Sequence, residues 1–201
     1  MSAVSIGGDV LHLLTFVAMG FSNAGQVIIS QFIGAGQKRK VGAFTGTMFT
    51  FLLGFAVVLG GICLLFRQGI LGLMNTPEAA WQEALNYSTV CILGLVFIYG
   101  YNMVSAVLRG MGDAKRPFLF ICIASAVNLV LDILFTGVLG WEVAGAAWAT
   151  IIGQAVSFLF SLWYLYRQKE SFGFDFKPNS FVPRKKYVGM ILRLGTPIAV
   201  Q

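Results

Sequence analysis

The chain has 201 residues, of which 57% are hydrophobic and only 11% charged, with 18 Phe. An average soluble domain carries about 25% charged residues, so this composition is that of a membrane protein. The net charge of +6 would suit a nucleic-acid partner, but its distribution along the chain follows membrane topology instead.

Five apolar runs are long enough to cross a hydrocarbon core of about 30 Å, which takes about 20 helical residues. They lie at 11–35, 41–66, 85–108, 117–139 and 143–166, and a further apolar stretch starts near 194. The opening "MSAVSIGGDVLHLL" has no Lys or Arg ahead of its apolar residues, so no signal peptide is predicted.

The first span carries Asn23, Gln26, Ser30 and Gln31. Asn23, Gln26 and Ser30 recur at helical spacing and are candidate cavity-lining residues, although amides also serve as interhelical glue. Lys38, Arg39 and Lys40 follow this span. The second span is rich in small residues that let helices approach closely. It leads into "RQGILGLMNTPEAAWQEALNYS", an outer connection with a short amphipathic piece that Pro77 can begin.

Tyr99, Asn102 and Ser105 follow an i, i+3, i+6 pattern in the third span, where Tyr99 and Asn102 are further cavity candidates. Met19, Met48 and Met103 suit either varied apolar ligands or simple gap filling. Arg109, Lys115 and Arg116 separate the third and fourth spans.

In the fourth span one carboxylate, Asp132, stands in an apolar run, four residues from Asn128 and so on the same helix face. Counted from Pro117, Asp132 is roughly 22 Å along its helix, about 10 Å from the outer end, and Thr150 lies a similar depth below the start of the antiparallel fifth span. An acid, an amide and a hydroxyl at one level make an oxygen-lined site for Na⁺, or a carboxyl tuned by burial to load and release a proton. A neutral hydrogen bond to a neighbouring helix is the structural alternative.

Seven basic residues between Arg167 and Arg193 follow the fifth span, in and around the linker "KESFGFDFKPNSFVPRKK". With Arg67 alone on the other side, the pattern places the loops near 38, 113 and 175 in the cytoplasm. Cys63, Cys91 and Cys122 lie in apolar spans without paired spacing and read as packing residues. Trp141, Trp163 and Tyr164 suit the interfacial belt, and the lone His12 is assigned no role. No phosphate-binding loop, HExxH or GxSxG occurs, so no enzyme is predicted and no ATP-driven engine.

Three stretches, "SQFIGAGQKRK", "VLRGMGDAKRP" and "NLVLDILFTGVLGWEVAGAAWAT", resemble in order and spacing segments of the multidrug and toxic compound extrusion (MATE) transporters. The resemblance covers the chain from after that family's first helix to the start of its seventh. It implies an all-α polytopic membrane helix bundle, the N-lobe of a two-lobed antiporter that exports cationic or amphipathic compounds by alternating access in exchange for Na⁺ or H⁺. It also implies that Asn128, Asp132 and Thr150 form the cation site. The family often has Gly where this chain has Glu142.

On this reading residues 1–167 are the N-lobe bundle of five complete spans, 168–193 a cytoplasmic interfacial linker, and 194–201 the start of the next span. Such a chain resides in a bacterial inner (plasma) membrane, uses no cofactor beyond its coupling ion, binds no nucleic acid, and works with membrane lipid and a C-terminal lobe of the same protein. A lipid-linked saccharide flippase of the same superfamily is the alternative, disfavoured because no Lys or Arg lies within a span. A non-transporting membrane subunit is the other.

Overall fold

The computed structural model describes residues 3–73, 76–168, 170 and 178–200, and among these there is helix and no strand. The helices are α1 (Ala3–Gly34), α2 (Lys38–Leu73), α3 (Glu78–Leu93), α4 (Leu95–Gly110), α5 (Lys115–Asp132), α6 (Glu142–Arg167) and α7 (Lys185–Val200). A π-helical turn, Ile133–Val138, continues α5, and a short 3₁₀ turn, Pro178–Phe181, precedes α7. Helices α1, α2, α5 with its π turn, and α6 are each long and apolar enough to cross a membrane; α3 and α4 together make a fifth span bent by 44°. The protein is a multi-pass integral membrane helix bundle.

Two of the stretches singled out in the sequence turn out to be one device used twice. At the end of α1 the amide of Gln37 donates to the carbonyl of Phe32 and that of Gly36 to Ile33; at the end of α4 the amide of Asp113 donates to Leu108 and that of Gly112 to Arg109. Gly36 (φ 70) and Gly112 (φ 91) supply the left-handed residue that this paired capping pattern requires. "IGAGQ" and "RGMGD" are therefore helix stops. In the second, Asp113 also begins the next helix, accepting from the Arg116 amide at 3.3 Å and from the Arg116 guanidinium at 2.6 Å.

The core lies where α1, α2 and α4 meet, with Ile28, Phe44, Met48, Leu52, Tyr99 and Leu108 fully buried. Met48 and Met103 have no exposure, so gap filling is their job, whereas Met19 is 42% exposed. Glycine sets the close crossings. A Cβ on Gly110 would stand 2.9 Å from the Gln26 carbonyl oxygen of α1, and one on Gly153 of α6 would stand 3.0 Å from the Ala124 carbonyl oxygen of α5. Lipid offers no hydrophobic drive between helices, so this backbone proximity is what associates them.

Several boundaries differ from the sequence reading for physical reasons. Helix α2 runs 36 residues, past position 66, and Arg67 is not in a loop: it donates to the Thr89 hydroxyl at 3.0 Å. The piece that Pro77 begins is continuous with the third span, and the break falls at Gly94, where a Cβ would collide with Ile151 of α6. Residues 185–193, read as linker, belong to α7, which packs on α1; Tyr187 makes edge contacts with Phe32 and Phe44. Much of the remaining linker, 171–177, lies outside the described residues. Cys63 and Cys91 are buried, but Cys122 faces outward from α5. Tyr164 does more than sit in a belt: its ring lies 4.8 Å from the Arg116 guanidinium and its hydroxyl donates to Asp113 at 3.4 Å.

Candidate functional site

The α5–α6 pair carries the acid. Where Gly153 leaves room, Asn128 Cβ comes within 3.2 Å of the position a Cβ would take, and further out Gly145 lies against Phe135 and Thr136. Interpolating between those two crossings puts Asp132 level with Ala149 and Thr150 across the pair. Directly beyond Asp132 the helix widens into the π turn, a distortion common at functional sites.

Two buried polar atoms in this corner have no hydrogen-bond partner, Asp132 Oδ1 and Asn128 Nδ2. An unsatisfied buried polar group costs about 1–3 kcal/mol, more when charged, so the corner is built to receive something. Asn128 and Thr150 line one small cavity of about 110 Å³ together with Ser125, Gly153 and Gln154. The Thr150 hydroxyl donates to the Ala146 carbonyl at 2.9 Å, which leaves its oxygen lone pairs free to accept.

Tyr87 of α3 is the neighbour that the sequence reading missed. Its side chain lines a larger cavity together with Thr150 and lies within electrostatic reach of Cys91 and Asp132. A tyrosine in "LNYSTV" gives no signal of this, because the bend at Gly94 is what carries α3 over to α6. The oxygens on offer are those of the Asp132 carboxylate, the Asn128 amide and the Thr150 hydroxyl, a set that suits a hard monovalent cation or a proton, while Asn128 Nδ2 calls for an acceptor. Among the described residues no three His, Cys, Asp or Glu gather, so nothing points to a transition metal.

Thr150 and Gln154 also line a second, larger cavity of about 620 Å³ between α1, α3, α4, α5 and α6. Its α1 wall is the stripe Gly8, Leu11, His12, Thr15, Met19 and Asn23. Asn23 and Asn102 line it, as does His12, to which the sequence reading gave no role. Gln26, Ser30 and Tyr99 do not stand in that lining; they tie helices together. Gln26 Oε1 accepts from Arg109 Nε at 2.9 Å, Ser30 donates to the Gly110 carbonyl at 3.1 Å, and the buried Tyr99 hydroxyl donates to the Leu14 carbonyl at 3.0 Å. Spacing alone cannot separate a cavity stripe from a bridging one when both share a helix. Arg109, read as a loop residue, sits in the last turn of α4 and lines the cavity.

A family model described as MatE matches residues 1–134. Among curated relatives, the chain is 33% identical over 194 residues to "Probable multidrug resistance protein YpnP" of Bacillus subtilis (strain 168), covering 96% of this chain and 42% of that one. It is 25% identical to "Probable multidrug resistance protein NorM" of Thermotoga maritima, covering all of this chain and 44% of that one. A crystal structure of MATE in the bent conformation matches with a TM-score of 0.92 at 28% identity over 98% of this chain and 44% of that one. The chain therefore spans less than half the length of the relatives it matches.

Proposed function

The chain belongs to the MatE family of transporters, which are not enzymes, and from that premise we propose that it forms one lobe of a cation-coupled efflux antiporter working by alternating access. The carrying observation is the orphaned buried Asp132 Oδ1, one helical turn from Asn128, which shares a small cavity with Thr150. A proton on Asp132, or Na⁺ held by the oxygens of Asp132, Asn128 and Thr150, supplies the partner that Asp132 Oδ1 lacks and removes the cost of a bare charge at bilayer depth; Asn128 Nδ2 is a donor and calls for an acceptor instead.

Coupling follows if the ion binds one arrangement of α5 and α6 better than another, since a ligand shifts an equilibrium only by its differential affinity. The π turn offers α5 two ways of continuing past Asp132, one with and one without the extra residue per turn. The larger cavity takes the exported compound; its volume falls in the range of about 300–1,000 Å³ that suits small molecules. The relatives' multidrug names favour this over a saccharide flippase. On this reading the protein lies in a bacterial inner membrane with the loops near 38, 113 and 175 cytoplasmic, and lipid and a second lobe are its partners.

The test is efflux of a fluorescent amphiphile from vesicles holding the full-length protein under an imposed Na⁺ or proton gradient. Asp132→Asn is expected to abolish gradient-driven efflux and leave equilibrium binding of the fluorophore intact. Efflux at the unsubstituted rate would remove Asp132 from the mechanism.

A further inference from the structure

The third span, α3 with α4, turns by 44° at Gly94, yet it holds no proline and keeps its main-chain bonding on both sides of the break. The Gly94 amide donates to the carbonyls of Val90 and Cys91 at 3.1 Å each, and the amides of Phe97 and Ile98 donate to the Gly94 carbonyl at 3.0 and 3.3 Å. A sharp kink has an identifiable cause, and a side chain pressed into the helix is one. Here that side chain is Ile151 of α6. Its Cδ1 fills the place where a Cβ on Gly94 would stand, with Ile151 Cγ1 2.9 Å and the Cys91 carbonyl oxygen 3.3 Å from that point. Two turns further along α6, the Phe158 ring fills a second notch, 2.5 Å from where a Cβ on Gly100 would lie. Before the bend, Ala147 of α6 packs with Tyr87 and Cys91 of α3. The bent span and α6 are therefore interlocked along their length, with Ile151 at the corner.

Ile151 lines neither cavity, but it follows Thr150, which lines both. The third span contributes Tyr87 to the larger cavity from before the bend, and Ile98, Tyr101 and Asn102 from after it. A close-packed interior transmits displacement, so α6 cannot shift at the ion corner without moving the side chain that sits in the Gly94 notch. The lever is long enough to matter. Tyr87 is seven residues from Gly94, about 10 Å along the helix, so a change of about 10° in the bend carries it through about 2 Å.

We propose that Ile151 is a positioning residue for coupled export, the wedge through which occupation of the ion corner on α5 and α6 resets the bend of the third span and with it the shape of the larger cavity. The proposal rests on the coupled-antiporter reading given above and adds the part that joins its two sites. A ligand shifts a conformational equilibrium only through a difference between the two arrangements, and the depth of Ile151 in the Gly94 notch is that difference.

The test uses the full-length protein in vesicles with rhodamine 123 and the membrane potential held at zero. Two quantities are read: the steady dye ratio built up by an imposed Na⁺ or proton gradient, and the rate of protein-dependent dye equilibration without a gradient. Ile151→Val, which deletes only Cδ1, is expected to lower the ratio about threefold while equilibration stays within about twofold, and Ile151→Ala to lower the ratio further. A Cβ at position 94 would take the place that Cδ1 vacates, so Gly94→Ala combined with Ile151→Ala is expected to regain much of the ratio lost in Ile151→Ala. Equal loss of ratio and equilibration in Ile151→Val would reduce Ile151 to core packing and overturn the proposal. An unchanged ratio in both Ile151→Val and Ile151→Ala, or no recovery in the double variant, would overturn it too. If the unsubstituted protein builds up no ratio under either gradient, the coupled-antiporter reading itself falls and takes the wedge with it.

Discussion

Gly110→Ala strikes the tightest backbone crossing in the bundle. The added Cβ would stand 2.9 Å from the Gln26 carbonyl oxygen and 3.0 Å from Ile29 Cβ and Cγ2. A carbon and a carbonyl oxygen rest near 3.3 Å or more, so α1 and α4 must part by several tenths of an ångström, and neither the main-chain oxygen nor a β-branched Cβ can swing away. Overpacking of this kind costs about 1–3 kcal/mol. The separation also stretches two bonds at the same place, Ser30 to the Gly110 carbonyl and Arg109 to Gln26. Interhelical bonds in membranes average about 0.6 kcal/mol each, which brings the total to roughly 2–4 kcal/mol. For a body of this size that is a fall in melting temperature of about 4–16 °C, read by thermal unfolding in detergent. Gly61→Ala, where nothing lies within 4 Å, is the control, and helix propensity alone should stabilise it by up to about 1 kcal/mol. If Gly110→Ala melts together with Gly61→Ala, the crossing does not carry the strain assigned to it.

Glu142 adopts φ 44, a left-handed conformation that suits glycine, so Glu142→Gly should raise the melting temperature or leave it unchanged; a clear fall would show that the side chain supports the loop. Gly112→Ala forces a side chain into φ 91 at the helix stop and should cost about 1–2 kcal/mol in the same assay. Tyr87→Phe removes the hydroxyl nearest this corner from α3, and the gradient needed for half-maximal efflux should rise severalfold relative to dye affinity measured on the same variant; an unchanged gradient requirement would exclude the phenol from the ion site. Asp113→Ala removes the carboxylate that accepts from the Arg116 amide and guanidinium at the start of α5 and should lower stability by about 1 kcal/mol, as measured by denaturant midpoint.

The spans were legible because length and apolarity are local properties, and Asp132 was conspicuous because a lone acid in lipid is costly. Its level with Thr150 was legible too, since it needs only helix rise and antiparallel neighbours. Tyr87 was not, because its approach depends on the bend at Gly94, which answers to Ile151 some 57 residues away. Arg109 was misread as loop for a simpler reason: "RGMGD" looks like a turn, and the turn is there, but the helix persists through Gly110 before the left-handed Gly112. The split of Asn23 and Asn102 from Gln26, Ser30 and Tyr99 was likewise hidden, since hydrophobic period fixes a face of the helix and not what stands opposite each residue on it.

The π turn after Asp132 spends about one residue more than an α-helical turn to cover the same path, so everything from Leu139 onward is rotated by about 100° relative to an uninterrupted helix. Trp141, stacked 5.1 Å from Phe135, and the Glu142 carbonyl facing the Thr136 hydroxyl are set by that extra step. What counts along 133–138 is the number of residues: shortening the segment by a single residue would turn the outer hairpin like a key and take the start of α6 out of register with the helix that carries the acid.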